Sequence, residues 1–194
     1  LSPSRIRVTK PAHLASSEFK PEQVGDIIAI GRQHAPRGSL PHAVYCQGSA
    51  NVRLEDITVY SAAVFGFMEH GCEATTYLRC RIDRRPPEDD YVQRADPRIR
   101  SLNADAFHST AATIGPRYIE CRARFMGDDC INIHGDYHLV TSSGGGALRA
   151  LAKRVLDIAP GDTVEIVAWS GERLPDARVE SVQPDGAISD EEKR

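Results

Sequence analysis

The sequence predicts an all-β fold: a parallel β-solenoid followed by a small antiparallel β module. Three observations lead there. An acidic motif occurs twice, in NADAFHS (Asn103 to Ser109) and GDDCINIHG (Gly127 to Gly135), with Asp105 and Asp129 at a repeat distance of about 24 residues. In that spacing Asp105-Ala106-Phe107-His108 aligns over Asp129-Cys130-Ile131-Asn132. Strand-like segments with matching apolar positions recur through the middle of the chain, and no segment keeps the helical period that α/β units would need. Short alternating strands joined by Gly, Asn and Pro turns, at about 21 to 24 residues per turn, suit a solenoid in which each coil buries its inward side chains on its neighbours.

The elements follow in order. AVYCQGS (Ala43 to Ser49) is the first strand, one coil upstream of its counterpart if Cys46 shares a column with Phe67. RLEDITVYS (Arg53 to Ser61), TYLRCRIDR (Thr76 to Arg84) and RYIECRARF (Arg117 to Phe125) then match one another. They place Leu54, Tyr77 and Tyr118 in one column, Ile57, Cys80 and Cys121 in a second, and Val59, Ile82 and Ala123 in a third. Each is followed by another strand: VFGFMEHG (Val64 to Gly71), ADAFHST (Ala104 to Thr110) and DCINIHG (Asp129 to Gly135). Ile57 to Phe67 and Cys121 to Ile131 are equal steps along the chain, whereas Cys80 to Phe107 is much longer, so the middle coil carries an insertion. It falls at about 84–100, in RRPPEDDYVQRADPRIR.

The coil period stops after His138. The expected organisation is residues 1–140 as coils, about four of them, and 147–194 as the small β module, with the boundary near Thr141 to Gly146 in a flexible or turn segment, TSSGGGA. VLDI, DTVEIVAW and ARVESVQ read as its strands, and the charged tail SDEEKR as unstructured or truncated. The opening LSPSRIRVTKPAH reads as a cut through a longer chain, so the lack of a visible secretory signal says little about compartment.

Composition sets limits. Hydrophobic content of 41% is enough for an ordinary core, and a net charge of −3 gives no basic field for nucleic acid. No apolar run is long enough to span a membrane as a helix. Five cysteines, Cys46, Cys72, Cys80, Cys121 and Cys130, include no CxxC pair and read as small buried hydrophobes. A Cys80–Cys121 bridge between coils is the alternative; zinc lacks ligand spacing.

Neighbouring parallel strands lie about 4.8 Å apart, so aligned Asp105 and Asp129, with Asp128 adjacent, form a patch of crowded carboxylates. Repulsion at such separations is relieved when one group holds a proton. A protonated acid beside an ionised carboxylate is the minimum machinery of glycoside hydrolysis, inverting with a gap of about 6.5–9.5 Å and retaining at about 5 Å. A DD pair by itself often only caps a turn, as do Asn103 and Asn132 when they form a ladder. The aligned Asp105 favours the catalytic reading. His108 and His134 fit a sugar hydroxyl, a carboxylate partner or a structural role equally well. Asp89 and Asp90 have no repeat partner and read as solvated loop charges. Arg84, Arg85, Arg94, Arg98 and Arg100 with Tyr91 either wall a sugar cleft beside Asp105 or belong to a surface loop. Trp169 is the only tryptophan, which leaves little for sugar stacking elsewhere.

At NADAF and GDDCI the chain resembles glycoside hydrolase family 28, the polygalacturonases and their relatives, with their NTDGF and GDDC motifs. GDDCINIHG followed by a β module is closer still to family 110, the α-1,3-galactosidases, whose coils carry a DDAINVHG-like segment and a barrel-like insertion. The resemblance covers about Ala43 to His138 well and the tail loosely. It implies a right-handed parallel β-helix of the pectate-lyase kind, inversion at the anomeric carbon, and an oligo- or polysaccharide substrate containing galactose or uronic acid. Position by position it makes Asp128 the general acid and Asp105 with Asp129 the pair that activates water; Asn103, His108, Asn132 and His134, read from their places beside these aspartates, are the candidates for substrate binding. It implies no metal or organic cofactor, and a secreted or periplasmic location. The chain departs from family 28 in lacking the GHG and RIK motifs and in placing Ala106 where glycine is usual.

Two other classes fit the same residues. A polysaccharide lyase would hold Ca²⁺ on Asp128 and Asp129 and use Arg122 or Arg124 as base. A non-catalytic solenoid would bind glycan without turning it over.

Overall fold

The computed structural model describes residues 23, 34–35, 38–86, 98–152, 156 and 158–186. Among them there is no helix, and the strands fall into parallel stacks and small antiparallel pairs. A short antiparallel pair, β1 (His34–Ala35) and β2 (Gly38–Ser39), precedes the stacks. The chain then passes repeatedly through three parallel sheets. One contains β3 (Val44–Gln47), β6 (Phe67–His70), β9 (Phe107–Thr110) and β12 (Ile131–His134). The second contains β4 (Arg53–Glu55), β7 (Thr76–Leu78) and β10 (Arg117–Ile119), and the third β5 (Thr58–Val59), β8 (Arg81–Ile82) and β11 (Arg122–Ala123).

The register is the one that the apolar columns predict. Leu54 pairs with Tyr77 and Tyr77 with Tyr118; Val59 pairs with Ile82 and Ile82 with Ala123. One column differs: Val44, not Cys46, pairs with Phe67, and Cys46 lies beside Glu69. The step from Val44 to Phe67 equals the step from Leu54 to Tyr77, and a slip of two positions keeps the same side chains facing inward.

Inward stacking builds the core. The rings of Phe67 and Phe107 stack at 5.1 Å, those of Tyr77 and Tyr118 at 5.2 Å, and the two pairs meet edge to face, with Tyr77 to Phe107 at 5.5 Å. Such pairs contribute about 0.5–1.5 kcal/mol beyond the area they bury. Glu69 is buried among them and accepts hydrogen bonds from Ser109 Oγ at 2.6 Å and Tyr77 OH at 3.1 Å. Burial, with the nearby Glu69 charge, pushes the Tyr77 phenol well above its ordinary value, so it stays a donor. All five cysteines are free thiols. Cys80 and Cys121 share the interior as expected, each donating to a backbone carbonyl of the preceding rung (Leu54 O at 3.4 Å and Tyr77 O at 3.3 Å). Cys130 is exposed rather than buried, because it precedes β12, the outermost strand of its sheet.

The corner between the second and third sheets repeats a left-handed residue at Asp56, Arg79 and Glu120 (φ 57°, 51° and 53°). No glycine marks this corner, yet the same charged column turns the chain each time. Arg79 donates to Asp56 Oδ1 and Oδ2, both at 2.7 Å, and to Glu55. These exposed pairs hold the Asp56 carboxyl below the usual carboxylate range through Arg79, and that of Glu55 through Arg53 and then Arg79.

The insertion is located by pairing. Val59 and Ala62 are close neighbours along the chain, whereas their partners on the next rung, Ile82 and Leu102, are far apart, so the extra segment leaves after Ile82 and returns before Leu102. At its neck Arg84 donates to Arg98 O at 2.9 Å and lies 3.7 Å over the Phe125 ring, and Arg85 lies 5.4 Å over Tyr60. Asp89, Asp90, Tyr91 and Arg94 lie outside the described residues, as do the opening and closing segments LSPSRIRVTKPAH and SDEEKR.

After β12 the parallel pattern gives way to a hairpin of β13 (Leu139–Gly144) and β14 (Ala147–Leu151). The segment TSSGGGA is therefore mostly strand. Only Gly145 and Gly146 form the turn, at φ 59° and 78°, the left-handed pair that a tight hairpin loop requires. A further antiparallel pair, β15 (Thr163–Val164) and β16 (Ala177–Arg178), lies in DTVEIVAW and ARVESVQ, and Arg149 on the hairpin bonds Asp185 at 2.6 Å. The expected strand at VLDI is not formed at its described residues, Leu156 and Ile158, which have no ladder partner. Among the described residues no helix is long and apolar enough to cross a membrane.

Candidate functional site

The repeated acidic motif lands in register. Phe107 pairs with Ile131 and His108 with Asn132, and Ala106 N donates to Asp129 O at 2.9 Å, so Asp105 and Asp129 occupy equivalent positions on adjacent rungs. One carboxylate oxygen from each of Asp105, Asp128 and Asp129 lies within 4.8 Å of the others. Gly127 makes this approach possible: a Cβ there would lie 2.7 Å from Asn103 O and 2.9 Å from Arg100 Nη1. The GDD segment thus settles directly on NAD of the rung before it.

The three carboxylates differ in setting. Asp105 is 3% exposed, with its Oδ2 2.6 Å from His108 Nδ1 and accepting from Asn132 Nδ2 at 3.2 Å. Asp128 and Asp129 are exposed. A buried oxygen fixed by two partners beside two solvated carboxylates is an asymmetric acid–base group. As cation ligands the three side chains, offering one oxygen each, supply at most half of the roughly six to eight oxygens that Ca²⁺ takes. No further His, Cys, Asp or Glu among the described residues joins the cluster.

Of the residues proposed for substrate binding, His108, Asn132 and His134 gather at Asp105, with His134 Nε2 3.2 Å from His108 Nε2. Asn103 donates to Ala63 O at 3.1 Å, a bond between rungs. Arg124 lies 4.8 Å over the Phe125 ring. Arg84 and Arg85 serve the insertion's neck, and of the insertion's described arginines Arg100 is the one placed against Gly127.

Sequence reasoning misses two residues at the site. Phe65 stacks on His108 at 4.3 Å and His42 on Phe65 at 5.0 Å, making a ring ladder that leads away from Asp105. The signal is present: Phe65-Gly66-Phe67 aligns under Asp105-Ala106-Phe107, so the acidic column is aromatic one rung earlier. Burial, and secondly the charge of His108, push the His42 imidazole below its ordinary value. No protein-family model matches this chain, and neither does any curated protein. The fold and the cluster therefore define a class only: an all-β protein of stacked parallel strands with a three-carboxylate patch on its outer face.

Proposed function

We propose that the chain is a right-handed parallel β-helix followed by a β module, and that it hydrolyses glycosidic bonds in galactose- or uronic-acid-containing glycans. The observation that carries this reading is the convergence of Asp105, Asp128 and Asp129 within 4.8 Å. It agrees with the roles that the resemblance to glycoside hydrolase families 28 and 110 implies, and such enzymes act outside the cytoplasm.

Asp128, exposed, protonates the leaving oxygen, while Asp105 and Asp129 polarise a water for attack on the opposite face of the sugar. The present separation is shorter than the inverting gap of about 6.5 Å or more. Inversion therefore requires the solvent-exposed Asp128 side chain to swing outward and admit the water, with Asp105 held in place by His108 and Asn132. The decisive experiment follows the anomeric proton of the first product by NMR on galactosides and uronate oligosaccharides. The opposite anomer supports this reading, the same anomer replaces inversion by retention, and an unsaturated product absorbing in the ultraviolet replaces hydrolysis by elimination.

A further inference from the structure

Asp105 is almost sealed from solvent, yet a base that takes a proton at each turnover must also lose it. We propose that His108 and His134 form a proton path from the buried Asp105 carboxyl to water, an inference that rests on the hydrolytic reading above. The contacts are continuous: Asp105 Oδ2 to His108 Nδ1 at 2.6 Å, His108 Nε2 to His134 Nε2 at 3.2 Å, and His134 Nδ1 to Gly135 O at 3.0 Å. Asp105 is 3% exposed, the His108 side chain 12%, and His134 lies open at the surface, so burial decreases along the path.

The hydrogen bonds constrain the proton count. A carbonyl oxygen only accepts, so His134 Nδ1 carries a hydrogen toward Gly135 O. A neutral His134 then accepts at Nε2, and His108 Nε2 must donate. All of these bonds are made together only when the trio carries one proton more than a carboxylate and two neutral imidazoles. That proton has three positions: on Asp105, on His108, or on His134 with His108 Nδ1–H donating to the carboxylate. Moving it outward breaks the Asp105 O–H and the His108 Nε2–H bonds and forms N–H bonds at His108 Nδ1 and His134 Nε2. No electrons are transferred, and His134 imidazolium then releases a proton to bulk water. Asp129 and Asp128 exchange with solvent directly and need no such path.

The path is tested in the full chain by His134→Ala, a change at an exposed side chain. The expected result is a kcat at least about tenfold lower with KM little changed, a larger solvent deuterium effect on kcat, and recovery when free imidazole is added. A kcat like wild type, or a loss that imidazole does not relieve, overturns the path. A second measurement is independent of turnover: ¹⁵N NMR of the imidazoles should show the His134 ring nitrogens shifting in Asp105→Asn, and indifference there also overturns it. Hydrolysis that needs Asp128 but ignores His134→Ala sinks the path and leaves the hydrolytic reading intact. Coupled imidazoles in a chain that cleaves no glycan do the reverse.

Discussion

Gly127 lies so close above Asn103 that a Cβ would stand 2.7 Å from the Asn103 carbonyl oxygen. The obstacle is backbone and cannot swing aside. Gly127→Ala therefore lifts GDD away from the preceding rung, at a cost of about 1–3 kcal/mol as for other overpacked sites. The expected outcome is a lower denaturation midpoint together with lost activity, since Asp128 and Asp129 move with the backbone. A variant as stable and active as wild type would refute the tight seating.

On the proposed hydrolytic mechanism, Asp128→Asn and Asp129→Asn should each lower kcat by about 10²–10⁴-fold, and because both side chains are exposed the thermal midpoint should change little. Steady-state kinetics alongside circular dichroism checks this. Turnover like wild type in either variant removes that residue from the mechanism.

Phe107→Ala should destabilise the chain by about 3–5 kcal/mol, since its ring is stacked between Phe67 and the edge of Tyr118 in the core. Ile131 occupies the same column but is 45% exposed, so Ile131→Ala should cost far less. Urea denaturation of the two variants compares them; equal losses would contradict the stacking order.

His42 gives a pH prediction. Its imidazole is pushed below the ordinary value by burial, so the unfolded chain binds the proton at a higher pH than the folded one. Stability from this group is complete above the unfolded pKa of about 6.5 and declines as pH falls through it toward the folded value. His42→Phe, which keeps a ring against Phe65, should flatten the fall in thermal midpoint between about pH 7 and pH 5. An unchanged slope would show that other groups carry it.

Glu120 holds φ 53° at an exposed corner and, among the described residues, has none of the ion pairs that Arg79 makes one rung earlier. Glu120→Gly should then be neutral or stabilising by up to about 1 kcal/mol, the left-handed strain relieved being partly offset by the freer unfolded chain. Arg79→Gly, which also removes the bonds to Asp56 and Glu55, should gain less or lose stability. Thermal midpoints of the pair decide it.

Much of the fold is legible because a stacked chain writes its period into the sequence. Tyr77 over Tyr118 and Ile82 over Ala123 can be aligned by eye, and so can the interruption of the middle rung. Cys46 falls two positions out of register because the pleat repeats every two, so inward and outward patterns alone cannot separate one rung length from another that is longer by a single pleat. The Thr141 to Gly144 part of the strand reads as a flexible or turn segment because Ser and Gly carry weak strand preference, and its pairing with Ala147–Leu151 comes from the Gly145-Gly146 turn.

Apart from the Cys46 column, the sequence by itself determined which residues share a rung position, and hence that Asp105 and Asp129 are neighbours with Asp128 beside them. Residue spacing does that in any chain with a regular rise. Only the tertiary structure decided that Asp105 is buried while its two partners are open, that His134 reaches His108, and that Phe65 and His42 extend the site by stacking. Those outcomes depend on side-chain direction and on what covers each rung, and both are set by packing between rungs rather than by order along one.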